Sequence, residues 1–443
     1  MVSAFAADLP KGRIIDQVVC SADPTQSYAL YLPSAYSTER AWPVLYCLDP
    51  LARGRLPLEQ FREGAEKYGY ILAGSYNSRN GPLAPALEAL RAVWRNTHET
   101  LRIDDRRVYL AGMSGGARDA TVFLNGGAFA GVIAQAAGFS GNAVPKDFSF
   151  PFFGTAGFDD FNYDEMRQVD RELDSRAAPH RLVLFPGPHG WAPASVCAEA
   201  LGWLDLVAMR AGTKPSDKAL IHALFEQDVS SAAAAEAQGE FIAAWLRYRS
   251  LAAGYKDWEN VAPYERKAAE LKDSKEYRRA LKAEDGAAAR QRELLATIFS
   301  NVRKQVNRDA DEVHASPRVV VADLRSKAAS AQDSDERRIA RRALREATVT
   351  AWEESTVLRS KKDYSSAAAT LEVAALVEPD NPEVLYNLAA LSALSNDKGR
   401  AMSLLKKAVE KGLRDRSRIE KDPAFDSLRQ RAEFRALVGQ GSR

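Results

Sequence analysis

Cysteine is nearly absent from this chain. Its three copies, Cys20, Cys47 and Cys197, are scattered and odd in number, which excludes a disulfide framework as the basis of the fold. Histidine is scarce as well: His98, His180, His189, His222 and His314 show no metal-ligand spacing, so neither a metal nor an organic cofactor is implied. No apolar run reaches the ~18 residues of a membrane-spanning helix. A formal net charge of +2, with no concentrated basic run, gives no reason to expect nucleic acid or a membrane surface as partner. Glycine is thin in the second half, since 20 of the 27 lie at or before Gly212. Beyond that point the sequence is alanine-rich, charged and helix-forming. The shift near Lys214-Pro215-Ser216 divides the chain into an expected domain over 1–213, a helical region over 214–347 and a third segment over 348–443. At the start, Ala4-Phe5-Ala6 matches the end of a signal-peptide cleavage region, but the basic and hydrophobic regions that should precede it are missing. Export and a cytoplasmic location both stay open.

Before Gly212, strand and helix patterns alternate. Strands are expected at 27–32, 43–48, 70–75, 107–112, 131–136, 150–155 and 181–185. Helices are expected at 58–67, 84–101, 115–124, 163–174 and 194–211. Such alternation predicts an α/β fold with a mainly parallel sheet covered by helices on both faces. Ligands bind such sheets at the carboxyl ends of the strands, so the loops that follow strands are where chemistry belongs.

One of those loops organises the rest. Val108-Tyr109-Leu110-Ala111-Gly112-Met113-Ser114-Gly115-Gly116 runs from an apolar strand through Gly-x-Ser-x-Gly into a helical pattern, the context of a nucleophile elbow. Ser114 would sit at a tight, strained turn just ahead of a helix N-terminus that favours developing negative charge. Two later strand-end loops supply an acid and a base: Ala156-Gly157-Phe158-Asp159-Asp160-Phe161-Asn162, then Phe185-Pro186-Gly187-Pro188-His189-Gly190-Trp191. Serine, then acid, then histidine is the chain order of α/β-hydrolases.

Over about 25–212 the chain resembles the α/β-hydrolase fold, and within it the compact bacterial serine esterases related to polyhydroxybutyrate depolymerases and feruloyl esterases. The resemblance implies Ser114 as nucleophile, His189 as base and Asp160 as orienting acid, with Asp159 competing for the third role. Relatives often carry His-Gly after the third strand, where backbone N–H groups complete the oxyanion hole. This chain has Leu48-Asp49-Pro50-Leu51-Ala52 instead. Pro50 cannot donate, so Leu51 is the expected second donor beside Gly115. Arg79, Asn80 and Trp191 are candidate pocket residues, each of which also reads as an ordinary turn or packing residue. Only about a dozen residues separate the strand at 131–136 from Phe150, where many lipases insert a lid, so no lid is expected there.

The C-terminal half carries a repeat. Ala367, Leu371 and Ala374 recur as Ala401, Leu405 and Ala408, each displaced by 34 residues, and Tyr386-Asn387-Leu388-Ala389 opens the second unit after Pro379. This resembles two tetratricopeptide repeats over about 348–411, with Asp422-Pro423-Ala424-Phe425 opening one capping helix. The resulting expectation is a serine hydrolase acting on a small carboxylic ester, whose all-α domain either narrows access to the pocket or recruits a protein partner. Two alternatives stand beside it: a weak or inactive hydrolase-fold scaffold that binds a partner through its repeats, and a peptidase of the same fold.

Overall fold

A computed structural model gives the architecture; it describes residues 9–176, 178–300, 302 and 316–439. The candidate cleavage region at the start and His314 lie outside these residues.

Eight strands form one sheet: β1 (Ile14–Cys20), β2 (Asp23–Tyr31), β3 (Trp42–Leu48), β4 (Ile71–Ser75), β5 (Ile103–Met113), β6 (Gly131–Gln135), β7 (Phe152–Asp159) and β8 (His180–Pro188). Their spatial order is β1-β2-β4-β3-β5-β6-β7-β8. β2 runs antiparallel to both its neighbours, and all pairs from β4 onward are parallel. This is the α/β-hydrolase arrangement. β1 was not expected from the sequence. It is an edge strand with Asp16, Gln17 and Val19 exposed, so it carries neither an apolar run nor a clean alternation.

The central strands are buried on both faces, and alternate residues feed opposite layers. Val44, Tyr46 and Leu48 of β3 join Leu90 of α2 (Leu83–Thr100), Ala117 of α3 (Gly115–Phe123) and Met166 of α4 (Tyr163–Ser175). Leu45 and Cys47 join Phe61 of α1 (Arg55–Tyr68) and Leu201 of α5 (Ala194–Arg210) on the other side. Between β6 and β7 the chain makes only a 3-10 turn, Ser140–Asn142.

The composition shift at Lys214 marks where strands cease, not where the first compact unit ends. That unit runs to Glu284, and the second covers Asp285–Arg443. The reason is visible at β8, the last strand of the sheet. Helices α6 (Lys218–Ala237) and α7 (Phe241–Tyr255) pack there, with Ile242 and Leu246 in the sheet's own core. Covering a strand edge with a helix shields its unpaired backbone groups from pairing with another chain. The contact is also polar. Arg181, buried near the start of β8, donates to Ser250 Oγ (2.9 Å), Asp228 Oδ2 (2.8 Å) and Glu199 Oε1 (3.4 Å).

In the second unit, helices Asp335–Ser360, Tyr364–Val377, Pro382–Leu394 and Lys398–Glu410 follow one another through short turns. The repeat seen in sequence is also a repeat of geometry. Lys362 and Asn396 both take left-handed backbone, with φ of 62° and 63°. Asp363 and Asp397 both cap the helix that follows, accepting from the amides of Ser366 and Arg400. Ala367, Leu371 and Ala374 are buried, as are Ala401, Leu405 and Ala408. The expected capping helix is divided in two: a 3-10 segment, Pro423–Leu428, capped by Asp422, and a helix, Ala432–Gly439. Phe425 and Phe434 are both buried beside Tyr386 in the core they share with the last repeat.

Among the described residues, no helix is long and apolar enough to cross a membrane.

Candidate active site

Ser114 stands between β5 and α3 with φ 54° and ψ −122°, a backbone conformation that a residue with a Cβ rarely adopts. Two glycines permit the turn. A Cβ at Gly112 would overlap the Gly116 carbonyl, and one at Gly116 would overlap the Leu48 carbonyl at the end of β3. The Ser114 amide donates to the Gln135 carbonyl (2.9 Å), which pins the elbow to the end of β6. α3 begins at Gly115, whose N–H falls in the first turn, where a helix has no acceptor of its own.

Gln135 links that elbow to the histidine loop. Its side-chain oxygen accepts from the Ala192 amide at 2.7 Å, three residues beyond His189. The acid loop is fixed in a similar way: Asn162 Nδ2 donates to the Ala136 carbonyl (2.8 Å), just past β6. The ends of β5, β6, β7 and β8 are thereby tied into one cluster.

Within it, His189 Nδ1 and Asp160 Oδ1 are 2.8 Å apart, and Asp160 is fully buried. The Asn162 amide donates to the same carboxylate oxygen at 2.9 Å. Asp160 Oδ2 is buried with no hydrogen-bond partner among the described residues. Phe161 stacks on the imidazole, with ring centroids 4.1 Å apart. Asp159, the competing acid, instead closes β7 in register with Pro188 and is partly exposed. The geometry therefore pairs His189 with Asp160.

The loop after β3 departs from the sequence expectation. The Leu51 amide donates to Asp49 Oδ1 at 2.9 Å, so it is already committed. Asp49 is buried and is the hub of this corner, accepting also from the Arg53 side chain (2.9 Å to each oxygen), the Arg53 amide (3.2 Å) and Trp191 Nε1 (2.9 Å). Burial opposes its charge. The bonds from Arg53, Trp191 and the two amides outweigh that and hold its pKa below the ordinary value. Trp191 thus ties the histidine loop to the β3 loop and lies edge-on to Phe61, as a packing residue would. Arg79 is exposed and bridges Leu51 through its backbone. Asn80 is exposed, with its carboxamide against Gly115.

Sequence reasoning passed over Asp49, Gln135 and Phe161. An Asp directly before Pro at a strand end is a turn signal, and it could have marked Asp49. Gln135 has no such mark; a lone Gln in an apolar strand reveals its role only once β5 and β8 flank it.

No family model and no curated protein matches the chain. Among solved structures, a fluorophosphonate-binding serine hydrolase of Staphylococcus aureus, FphF, is similar at 15% identity and a TM-score of 0.35, covering 44% of this chain and 99% of its own. A ferulic acid esterase is similar at 15% identity and 0.37, covering 43% and 97%. Esterase B of Lactobacillus rhamnosis is similar at 17% and 0.37, covering 47% and 93%. These scores are too low to carry an argument about activity, and the fold assignment rests on the strand order itself.

Proposed function

We propose that this chain is a serine hydrolase that cleaves small carboxylic esters through an acyl-enzyme on Ser114. The observation that carries the reading is the His189–Asp160 hydrogen bond, with its acceptor fully buried, in the strand-end cluster that holds the strained Ser114. Asp160 on Nδ1 fixes the imidazole so that Nε2 is the free basic nitrogen. Ser114 Oγ bonds to the ester carbonyl carbon while its proton passes to His189 Nε2 and the C=O π pair moves onto oxygen. Collapse re-forms the carbonyl and breaks the bond to the alcohol, which leaves with the proton from His189. Water then repeats the sequence on the acyl-enzyme and releases the acid. Asp160 compensates the imidazolium at each stage.

The decisive experiment pairs p-nitrophenyl butyrate hydrolysis with labelling by a fluorophosphonate probe. Ser114→Ala should abolish both, with a loss of several orders of magnitude in rate and an unchanged far-ultraviolet circular dichroism spectrum. Turnover retained in that variant would end the reading. A parallel panel of peptides separates an esterase from a peptidase of the same fold.

One observation favours the second reading, a weak hydrolase whose main task is to hold a partner. The Leu51 amide is engaged by Asp49, which removes the expected second oxyanion donor. On that reading the 34-residue repeat, resembling tetratricopeptide units, would supply the binding surface.

A further inference from the structure

The oxyanion formed at Ser114 must lie within reach of the Gly115 amide, the N–H that follows the nucleophile. In α/β-hydrolases the second donor is a backbone N–H of the loop after the third strand. Here the amides nearest Pro50 are already engaged. Pro50 lacks an N–H. The amides of Leu51 and Arg53 donate to Asp49 Oδ1 at 2.9 and 3.2 Å, and that of Ala52 donates to the Asp49 carbonyl at 3.0 Å.

What does stand beside Gly115 is a side chain. A Cβ built on Gly115 would overlap Asn80 Oδ1 and would lie 2.8 Å from Asn80 Nδ2, so the carboxamide covers the start of α3 at the nucleophile. Asn80 is held there by its own backbone. Its amide donates to the Pro50 carbonyl at 2.9 Å, and its neighbour Arg79 bridges Leu51. The loop after β4 is therefore fastened onto the loop after β3. Asn80 is also exposed, so substrate can reach it.

Resting on the serine-hydrolase reading, we propose that Asn80 is a catalytic residue: its side-chain N–H is the second oxyanion donor, beside the Gly115 amide. A carboxamide carries two N–H donors, so it can hold a neighbour and still donate to the oxyanion, and a half-turn about χ2 exchanges Oδ1 with Nδ2. The two donors come from different strand-end loops, so the hole is completed where β4's loop meets the elbow after β5. The step itself is unchanged: as Ser114 Oγ bonds to the carbonyl carbon, the π pair moves onto the oxygen that Gly115 and Asn80 face.

The test uses the full-length protein and the variants Asn80→Ala and Asn80→Asp, with Ser114→Ala alongside. Hydrolysis of p-nitrophenyl butyrate is followed together with inhibition by a butyl trifluoromethyl ketone, which adds to an active serine to give a tetrahedral oxyanion. Loss of one oxyanion donor should lower kcat about 10²- to 10³-fold, with KM within about threefold. The inhibition constant of the ketone should rise by the same factor as kcat falls. Asn80→Asp keeps the shape of the side chain but replaces the donor by a carboxylate, and should be at least as impaired. Thermal melting of each variant separates loss of the donor from loss of fold. If Ser114→Ala is dead while a folded Asn80→Ala keeps kcat within about threefold, Asn80 is not the donor and the serine reading stands. A kcat loss without a matching loss of ketone affinity also overturns the assignment. Activity retained in Ser114→Ala overturns both.

Discussion

Strand β8 carries an ionic cluster at each end, and the two are built on opposite plans. At its start Arg181 meets Asp228, Glu199 and Ser250; Tyr255 adds a bond to Asp228 and Arg247 adds another to Glu199. Each charge there meets an opposite charge. Just past its other end, about 26 Å away at ~3.3 Å per residue, His189 meets one carboxylate oxygen of Asp160, whose second oxygen is buried and unpartnered among the described residues. The first cluster has nothing further to gain from a new charge. The second leaves one buried carboxylate oxygen without a partner among the described residues. Incomplete satisfaction is what separates the His189–Asp160 pair from the Arg181 cluster. The comparison also bears on the helices after Lys214. α6 and α7 supply partners to the Arg181 cluster, at the end of β8 remote from Ser114.

The largest effect that would break this comparison concerns the acid. Asp160→Asn should lower kcat on p-nitrophenyl esters by about 10³- to 10⁴-fold, because the amide favours the wrong imidazole tautomer and removes the charge that supports imidazolium. Asp159→Asn should stay within about threefold. Melting temperatures should barely separate the two variants. The reverse order would assign the acid to Asp159, and equal losses would remove the distinction between the two.

The opposite end should respond in the opposite way. Arg181→Ala leaves Asp228 and Glu199 buried beside a void where their shared guanidinium stood. Breaking a buried pair on one side typically costs about 3–5 kcal/mol, or roughly 10 °C in Tm for a unit of this size. The kcat of the folded fraction should be unchanged. A chain ended at Gly212 should fail to fold for the same reason, since it removes Asp228, Arg247, Ser250 and Tyr255 together; circular dichroism and chemical unfolding report both. An Arg181→Ala protein as stable as the parent but slow in turnover would show that the clusters had been assigned the wrong roles.

Legibility in the sequence followed the same division. The elbow, the order of serine, acid and histidine, and seven of the eight strands were readable, because each depends on local pattern: a glycine-flanked serine after an apolar run, or an alternation of short elements. The register at Asp159-Asp160 was readable only as a choice, since adjacent residues differ in which face they present and only the packed loop decides. What escaped were long-range polar arrangements. Arg181 and Asp228 are 47 residues apart, and Asp49 and Trp191 are 142 apart; no spacing announces either. The first compact unit runs past Lys214 for a related reason. Composition reports which elements form, while the edge of β8 decides which of them pack together. Leu51 was chosen as a donor by elimination around Pro50, but the carboxylate of Asp49 two residues earlier reaches its amide first.

The smallest effect tests the comparison within the helix that follows the nucleophile. Asp119 lies on α3 one turn beyond Gly115, half-buried, with no hydrogen bond or ion pair among the described residues. Burial alone pushes its carboxyl from the ordinary 3.8 up to about 6. A folded-state pKa above the unfolded one means that the folded protein binds this proton more tightly. Stability contributed by the protonated form is therefore complete below about pH 4, declines as pH rises from 4 through 6, and is gone above that. Asp119→Asn removes the ionisation. The variant should match the parent near pH 4 and exceed it at pH 7 by on the order of 1 kcal/mol, the full shift being reduced because solvent screens a half-exposed group. Urea unfolding of both proteins at pH 4.5, 5.5 and 7 measures the gap. A gap that widens with pH supports an uncompensated carboxylate near the nucleophile, in keeping with the unsaturated character of that end of the sheet. Curves that stay parallel across the three pH values would mean that Asp119 is as well compensated as the groups around Arg181, and the distinction between the two regions would then rest on Asp160 alone.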